Sequence, residues 1–424
     1  INKNNMKARN FLMVVSALSI AGCSQNEVTE MRQDTNPVLG FNVYTGVPTR
    51  GTDVSTTTMQ GTCDATHFGG FGIMGYYTGS KAWDTAKGDV APTFMYNQKV
   101  TWDATLNSGT GEWTYSPKKY WPNNTNDKVS FFAYAPYEET GNSGSRVGIV
   151  PSGITDTGIP SIEFTLKNKD NLDKMVDLVV ADALDKTYND GTIGFQFAHT
   201  LSKMGFKAKL GDDYADLDGD NSFVYITRMW IVGKDGSMSM QTPAQVNSNS
   251  KFYTKAKWAD LHWNYESEYT EIPTADFSIE KIMNMDAEKI TEIWEDGSTN
   301  SVSGIKLVRA NKDTPKDLFK TNQFLYLIPV NDTDKTVAAE GQGGCEEGDI
   351  MIGFHYDIVT KIVGSSPTKY SVSHFETSVP LPAHHMKRGK WYTYTFTINL
   401  REIKVKAETS VTPWGTAGDD FTME

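Results

Sequence analysis

From Leu39 onward apolar and polar residues alternate. Leu39, Phe41 and Val43 fall on one side of an extended chain, and the run ends in the turn-forming segment 46–51. That period of two predicts a half-buried strand followed by a turn. Similar runs recur: Phe68 to Tyr77, Phe94 to Val100, a hairpin-like pair Trp113–Tyr115 and Lys119–Pro122, the strongly apolar Val129 to Tyr137, and Asp177 to Ala181. Beyond a turn at Gly191-Thr192 come Phe195 to Phe206, Phe223 to Val232, Phe324 to Pro329, Ile350 to Ile358 and the long stretch Trp391 to Thr412. Short strands and turns at this spacing predict β-sandwiches. Only Ala287 to Trp294 reads as helical, and no repeat of fixed period is visible, which disfavours solenoids and propellers.

The first thirty residues follow a different pattern. Met6 to Arg9 supplies a basic start and Phe11 to Ile20 an apolar run of signal-peptide length, too short to span a bilayer. Ile20-Ala21-Gly22-Cys23 resembles the bacterial lipobox, which predicts acylation of Cys23 after removal of residues 6–22. Acyl chains bury at roughly 0.8 kcal/mol per CH₂, so two or three of them hold a chain firmly on a membrane leaflet. Residues 23–37 read as a polar tether without periodicity.

Composition supports the β reading. Aromatic residues make up 12% of the 424 positions, and there are 36 Gly and 16 Pro, which favours short aromatic strands joined by turns over long helices. The formal net charge of -12 leaves no basic surface for nucleic acid. Besides Cys23 there are Cys63 and Cys345, which read as two separate thiols or as a disulfide in an oxidising compartment.

Candidate chemistry is sparse. Gly70 to Gly75 matches G-x-G-x-x-G, but strand and turn follow it where a dinucleotide site needs a helix. Asp216 to Asn221 looks like a calcium loop, yet its glycine is misplaced and Thr227 stands where a bidentate Glu should close the site. Adjacent His384 and His385 would point to opposite faces of a strand, poor geometry for holding one metal. No nucleophile elbow or paired-cysteine motif is present, and the reading is of no catalytic residue, no metal and no cofactor. Trp83, Trp102 and Trp263 could serve as glycan platforms, although core packing accounts for such residues as well.

Several of these segments together resemble the fimbrillin family, the type V pilins of Bacteroidota with their anchor and tip relatives. The matching pieces are Cys23 in its lipobox, Thr49-Arg50-Gly51 after the first strand, Trp113 to Pro122, Val129 to Tyr137 and Asp177 to Ala181. Phe197 to Lys203, Leu325 to Pro329 and Gly389 to Phe396 continue the series. The resemblance implies an all-β chain of two transthyretin-like β-sandwich domains in tandem, divided here into 51–192 and 193–424. It implies a secreted lipoprotein precursor at the outer membrane or in the extracellular fimbrium. An arginine-specific protease cuts family pilins after the first strand, which maps to Arg50 and Gly51 and makes 38–50 a removable segment. Cutting at Arg32 instead would leave that strand in place.

Loss of the strand would open a groove that another chain can fill. The tail 401–424 is the expected donor: Ile403, Val405 and Ala407 alternate with charged residues, and Val411 and Trp414 follow. Burying four or five such side chains yields on the order of 10 kcal/mol before entropy costs. The expected partners are other pilin subunits, the arginine-specific protease, the outer membrane through Cys23 before cleavage, and a host or bacterial surface receptor. The alternative is a surface lipoprotein that does not polymerise, either an anchor or tip subunit or a glycan-binding adhesin.

Overall fold

The structure is a computed structural model. It describes residues 36–45, 53–64, 67–139, 147–166, 172, 175–216, 221–233, 253, 255–265, 288–320, 323–332, 343–399 and 406–414. The chain is all-β, built of packed sheets with a few one-turn helices.

Ten strands occupy the first half: β1 Phe41–Tyr44, β2 Phe71–Gly79, β3 Met95–Asp103, β4 Glu112–Thr114, β5 Lys128–Ala135, β6 Ile149–Pro151, β7 Ser161–Thr165, β8 Val179–Lys186, β9 Ile193–Gln196 and β10 Ala198–His199. Then come β11 Ser202–Leu210, β12 Ser222–Gly233, β13 Lys255–Ala259, β14 His262–Asn264, β15 Glu288–Trp294 and β16 Thr299–Leu307. The last are β17 Lys316–Asp317, β18 Leu325–Leu327, β19 Ile350–Ile362, β20 Lys369–Pro380, β21 Lys390–Ile398 and β22 Lys406–Pro413.

A sheet of order β10-β8-β5-β2-β3-β4 is the central layer of the first half. Because successive side chains in a strand point to opposite faces, β5 sends Val129, Phe131, Ala133 and Ala135 into one core and Tyr134 into the other. The first core is closed by β1 and β9, which supply Phe41, Ile193 and Phe195. The second is closed by the sheet β14-β13-β7-β6, with Phe164, Trp258 and Trp263. Glycines make the central layer possible: a Cβ at Gly72 would lie 2.5 Å from the Tyr134 ring, and Gly70 takes φ +75. Gly70 to Gly75 is therefore a turn into strand β2.

The second half has a sheet of order β17-β11-β21-β22, with β18 also on β11, and a closed circuit β12-β16-β15-β20-β19. They pack through aromatic side chains: Phe354 of β19 meets Phe396 of β21 edge-on at 4.4 Å. Strands cross the residue 192 division, since β9 pairs with β1, β10 with β8, and β13 with β7.

Three local expectations are corrected. Ala287 to Trp294, read as helical, contributes strand β15, which pairs with β16 across the turn after Trp294. Its Ile290, Thr291 and Ile293 are β-branched and favour a strand, and an isolated eight-residue helix would not sustain itself. Trp113–Tyr115 and Lys119–Pro122 do not form a hairpin with each other: β4 pairs with β3, and Tyr120 bridges Val38 instead. His384 and His385 sit in a turn, not a strand; His384 takes φ 63, with its Nδ1 3.0 Å from the Gly343 carbonyl, while His385 Nδ1 is 3.0 Å from the Tyr394 hydroxyl. Cys63 and Cys345 are both free thiols, and burial pushes the Cys345 thiol up to about 12.

Candidate functional site

The amino-terminal strand is a narrow insert. Leu39 and Phe41 are buried, Val43 is partly so, and Tyr44 faces outward, so the alternation read from the sequence sets which face enters the core. The Phe41 ring stacks on Phe195 at 5.7 Å, lies 5.4 Å from Tyr115 and meets Phe131 edge-on at 5.9 Å. Removing residues 38–45 would expose Tyr115, Phe131, Ile193 and Phe195.

Backbone support for this insert is thinner. β1 pairs in parallel with β9, Phe41 opposite Ile193 and Val43 opposite Phe195. Before it, Leu39 N–H donates to the Lys119 carbonyl at 2.9 Å and Trp121 N–H to the Pro37 carbonyl at 3.3 Å. The Tyr115 hydroxyl donates to the Leu39 carbonyl at 2.8 Å. Burial pushes that phenol up to about 12, so it remains a donor across the physiological range.

The carboxy-terminal strand is held the other way. β22 pairs antiparallel with β21 over its whole length, from Thr397 opposite Lys406 to Lys390 opposite Pro413. It is the outer strand of its sheet. Ala407 lies opposite Phe396 in this register and Val411 opposite Tyr392; Val411 is half exposed, whereas Trp414 is buried at 2%. Trp414 stacks on His199 at 4.0 Å and on Tyr326 at 5.4 Å.

Of the residues singled out in the sequence, Ala407, Val411 and Trp414 fall on one strand and its end. Cys23, Arg32, Arg50, Gly51, Ile403 and Val405 lie outside the described residues, as does most of the calcium-like loop. Arg50 and Gly51 belong to the connection between Thr45 and Asp53, both of which are described and buried. Trp83 and Trp263 are core residues, the first against Tyr76 and Phe132, the second against Phe164 and Trp258. Trp102 packs on Trp113 at 5.3 Å over Gly111, where a Cβ would sit 2.1 Å from its ring. Among the described residues no group of three or more His, Cys, Asp or Glu is placed to hold a metal, and no helix is long and apolar enough to cross a membrane.

The sequence reading missed a buried polar cluster. Lys203 Nζ is 2.6 Å from Asp53 Oδ2, and both side chains are essentially inaccessible. The Tyr326 hydroxyl donates to Asp53 Oδ1 at 2.6 Å. Nearby, Asp177 Oδ2 accepts from Val54 N–H at 3.1 Å and lies 2.7 Å from His199 Nδ1. The available signal was a lysine inside the apolar run Leu201 to Phe206: a lysine there enters a core only with a partner.

The fimbrillin-like family model matches residues 56–414, a span that leaves out β1 and ends at Trp414. The chain belongs to the fimbrillin-like family. It is 32% identical over 426 aligned residues to fimbrium subunit Fim1C of Phocaeicola vulgatus, covering 99% of this chain and all of that one. A crystal structure of a fimbrial protein from Bacteroides vulgatus superposes with a TM-score of 0.68 at 26% identity, over 89% of this chain and 99% of that one.

Proposed function

We propose that this fimbrillin is a structural subunit of a surface fimbria, exported as a lipoprotein acylated on Cys23 and matured by arginine-specific cleavage between Arg50 and Gly51. It then polymerises by donor-strand exchange, the tail 401–424 of one copy entering the groove vacated by 38–50 of the next. The role is structural and adhesive, not catalytic.

The observation that carries this reading is the contrast within the amino-terminal strand. Leu39 and Phe41 are buried in the core of the sandwich, together worth about 3 to 6 kcal/mol. Yet β1 is a four-residue strand with a single ladder partner. A strand with that balance leaves behind a groove that wants apolar side chains at alternate positions, and alternation is the character of Ile403, Val405 and Ala407. The family relation and the similarity to fimbrium subunit Fim1C support the same role. The competing reading as a glycan-binding monomer is weakened by the burial of Trp83 and Trp263.

The experiment is to treat purified precursor with an arginine-specific protease. The expected result is a new amino terminus at Gly51 and a ladder of oligomers that resists mild denaturation. A chain cut after Arg50 that stays monomeric would overturn the polymer reading.

A further inference from the structure

Two parts of the chain that the proposed mechanism sets in motion meet at one buried cluster. Asp53 and Val54 are the first described residues after the Arg50–Gly51 segment. Asp53 is held by Lys203 and Tyr326, and Val54 N–H by Asp177. Trp414, at the end of β22, stacks on Tyr326, which holds Asp53, and on His199, which holds Asp177. The Trp414 ring centroid also lies 5.5 Å from Lys203 Nζ, alongside Phe324 at 3.9 Å and Trp391 at 4.5 Å. The lysine thus sits among aromatic rings, with Trp414 the ring contributed by the tail.

The electrostatics give this meeting a direction. Burial lowers the Lys203 pKa, and Asp53, then Asp177, pull it back up; Asp53 is the main counter-charge. A buried charge that loses its partner is strongly unfavourable unless water reaches it. Trp414 covers the residues that hold this pair, through its stacking on Tyr326 and His199. In the precursor, Asp53 is tethered on both sides, by β1 through Thr45 and by the helical turn Thr56–Met59, whose Thr56 N–H donates to Thr45 Oγ1 at 2.7 Å. Cleavage after Arg50 would remove the first tether and leave Asp53 as the third residue of a free end.

We propose that Asp53, Lys203 and Trp414 form a lock between the end left by maturation and the carboxy-terminal strand, closed in the precursor and loosened when Asp53 loses its hold. The biological role of the lock rests on the polymerisation reading; the coupling between the two ends does not. Such coupling is reciprocal: releasing Trp414 must also weaken the hold on residues 53–59.

The test is hydrogen exchange, read by mass spectrometry, on the full uncleaved chain. Asp53→Asn should speed exchange of the β22 amides by about a hundredfold, since breaking a buried pair costs several kcal/mol. The double variant Asp53→Asn with Lys203→Met removes both charges and should return β22 to near wild-type protection. Trp414→Ala should raise exchange at residues 53–59 as well as in β22. Faster exchange confined to residues 53–59 in Asp53→Asn overturns the lock, as does a double variant that exchanges as fast as the single. If Asp53→Asn unfolds globally, Trp414→Ala decides: unchanged protection at residues 53–59 overturns the proposal. No protease or oligomer enters this measurement, so failure to polymerise after cleavage would count against the function alone.

Discussion

The two terminal strands are held by opposite means. β1 is four residues long with one parallel partner, but its Phe41 and the Leu39 that precedes it are core residues. β22 is twice as long and fully paired with β21; of its described side chains Val411 is half exposed, while Trp414, just past its end, is buried. Buried side chains mark the first, and a full-length backbone ladder marks the second. A strand fastened by side chains leaves a shaped groove behind it. One fastened by backbone can leave an edge and pair again elsewhere, because any extended chain offers the same hydrogen bonds. The contrast supports the proposed exchange, in which the first end leaves a groove and the second supplies a strand.

The comparison breaks most readily at Phe41. Phe41→Ala should destabilise the full chain by about 3 to 5 kcal/mol, measured by urea unfolding. A loss under about 1 kcal/mol, the range of ordinary substitutions away from the core, would mean that β1 is not fastened by its core contacts. Trp414→Ala should have its main effect locally: β22 amides exchange at least about tenfold faster, equivalent to 1.4 kcal/mol or more. The β1–β9 ladder should keep its protection. Equal loss at both ends would erase the distinction between them.

Acid sharpens the same contrast. Burial lowers the His385 pKa from 6.5 to about 4, and this ring lies 5.0 Å from Tyr392 and hydrogen-bonds to Tyr394, both on β21. With its folded pKa below its unfolded value, the native state binds fewer protons than the unfolded chain, so stability falls as pH drops below about 6.5 and levels off under about 4. The β21–β22 ladder should therefore lose exchange protection before β1 does over that window. A matched decline would remove His385 as the cause. The smallest effect belongs to Val411→Ser, expected within about 0.5 kcal/mol because the side chain is half exposed.

Much of this contrast was legible beforehand where a residue's period decides its environment. The inward face of β1 follows from the alternation of Leu39, Phe41 and Val43, and the all-β class from aromatic strands and frequent turns. Residues 287–294 escaped because Ile290 and Ile293 are three apart, a spacing compatible with a helix until the pairing with β16 is known. The segment at Tyr120 looked like a hairpin partner for Trp113 because the two are close in sequence, whereas its bridge is to Val38, far up the chain.

By itself, then, the sequence determined the all-β class, the alternation that turns Leu39 and Phe41 inward and the family to which the chain belongs, since all of these depend on residues near one another or on motifs read in order. Only the tertiary structure decided that Lys203 faces Asp53, 150 residues away, and that Trp414 stacks on the residues holding that end. The physical reason is that a buried charge is tolerable only where a distant part of the chain delivers its partner, and periodicity carries no record of which part that is.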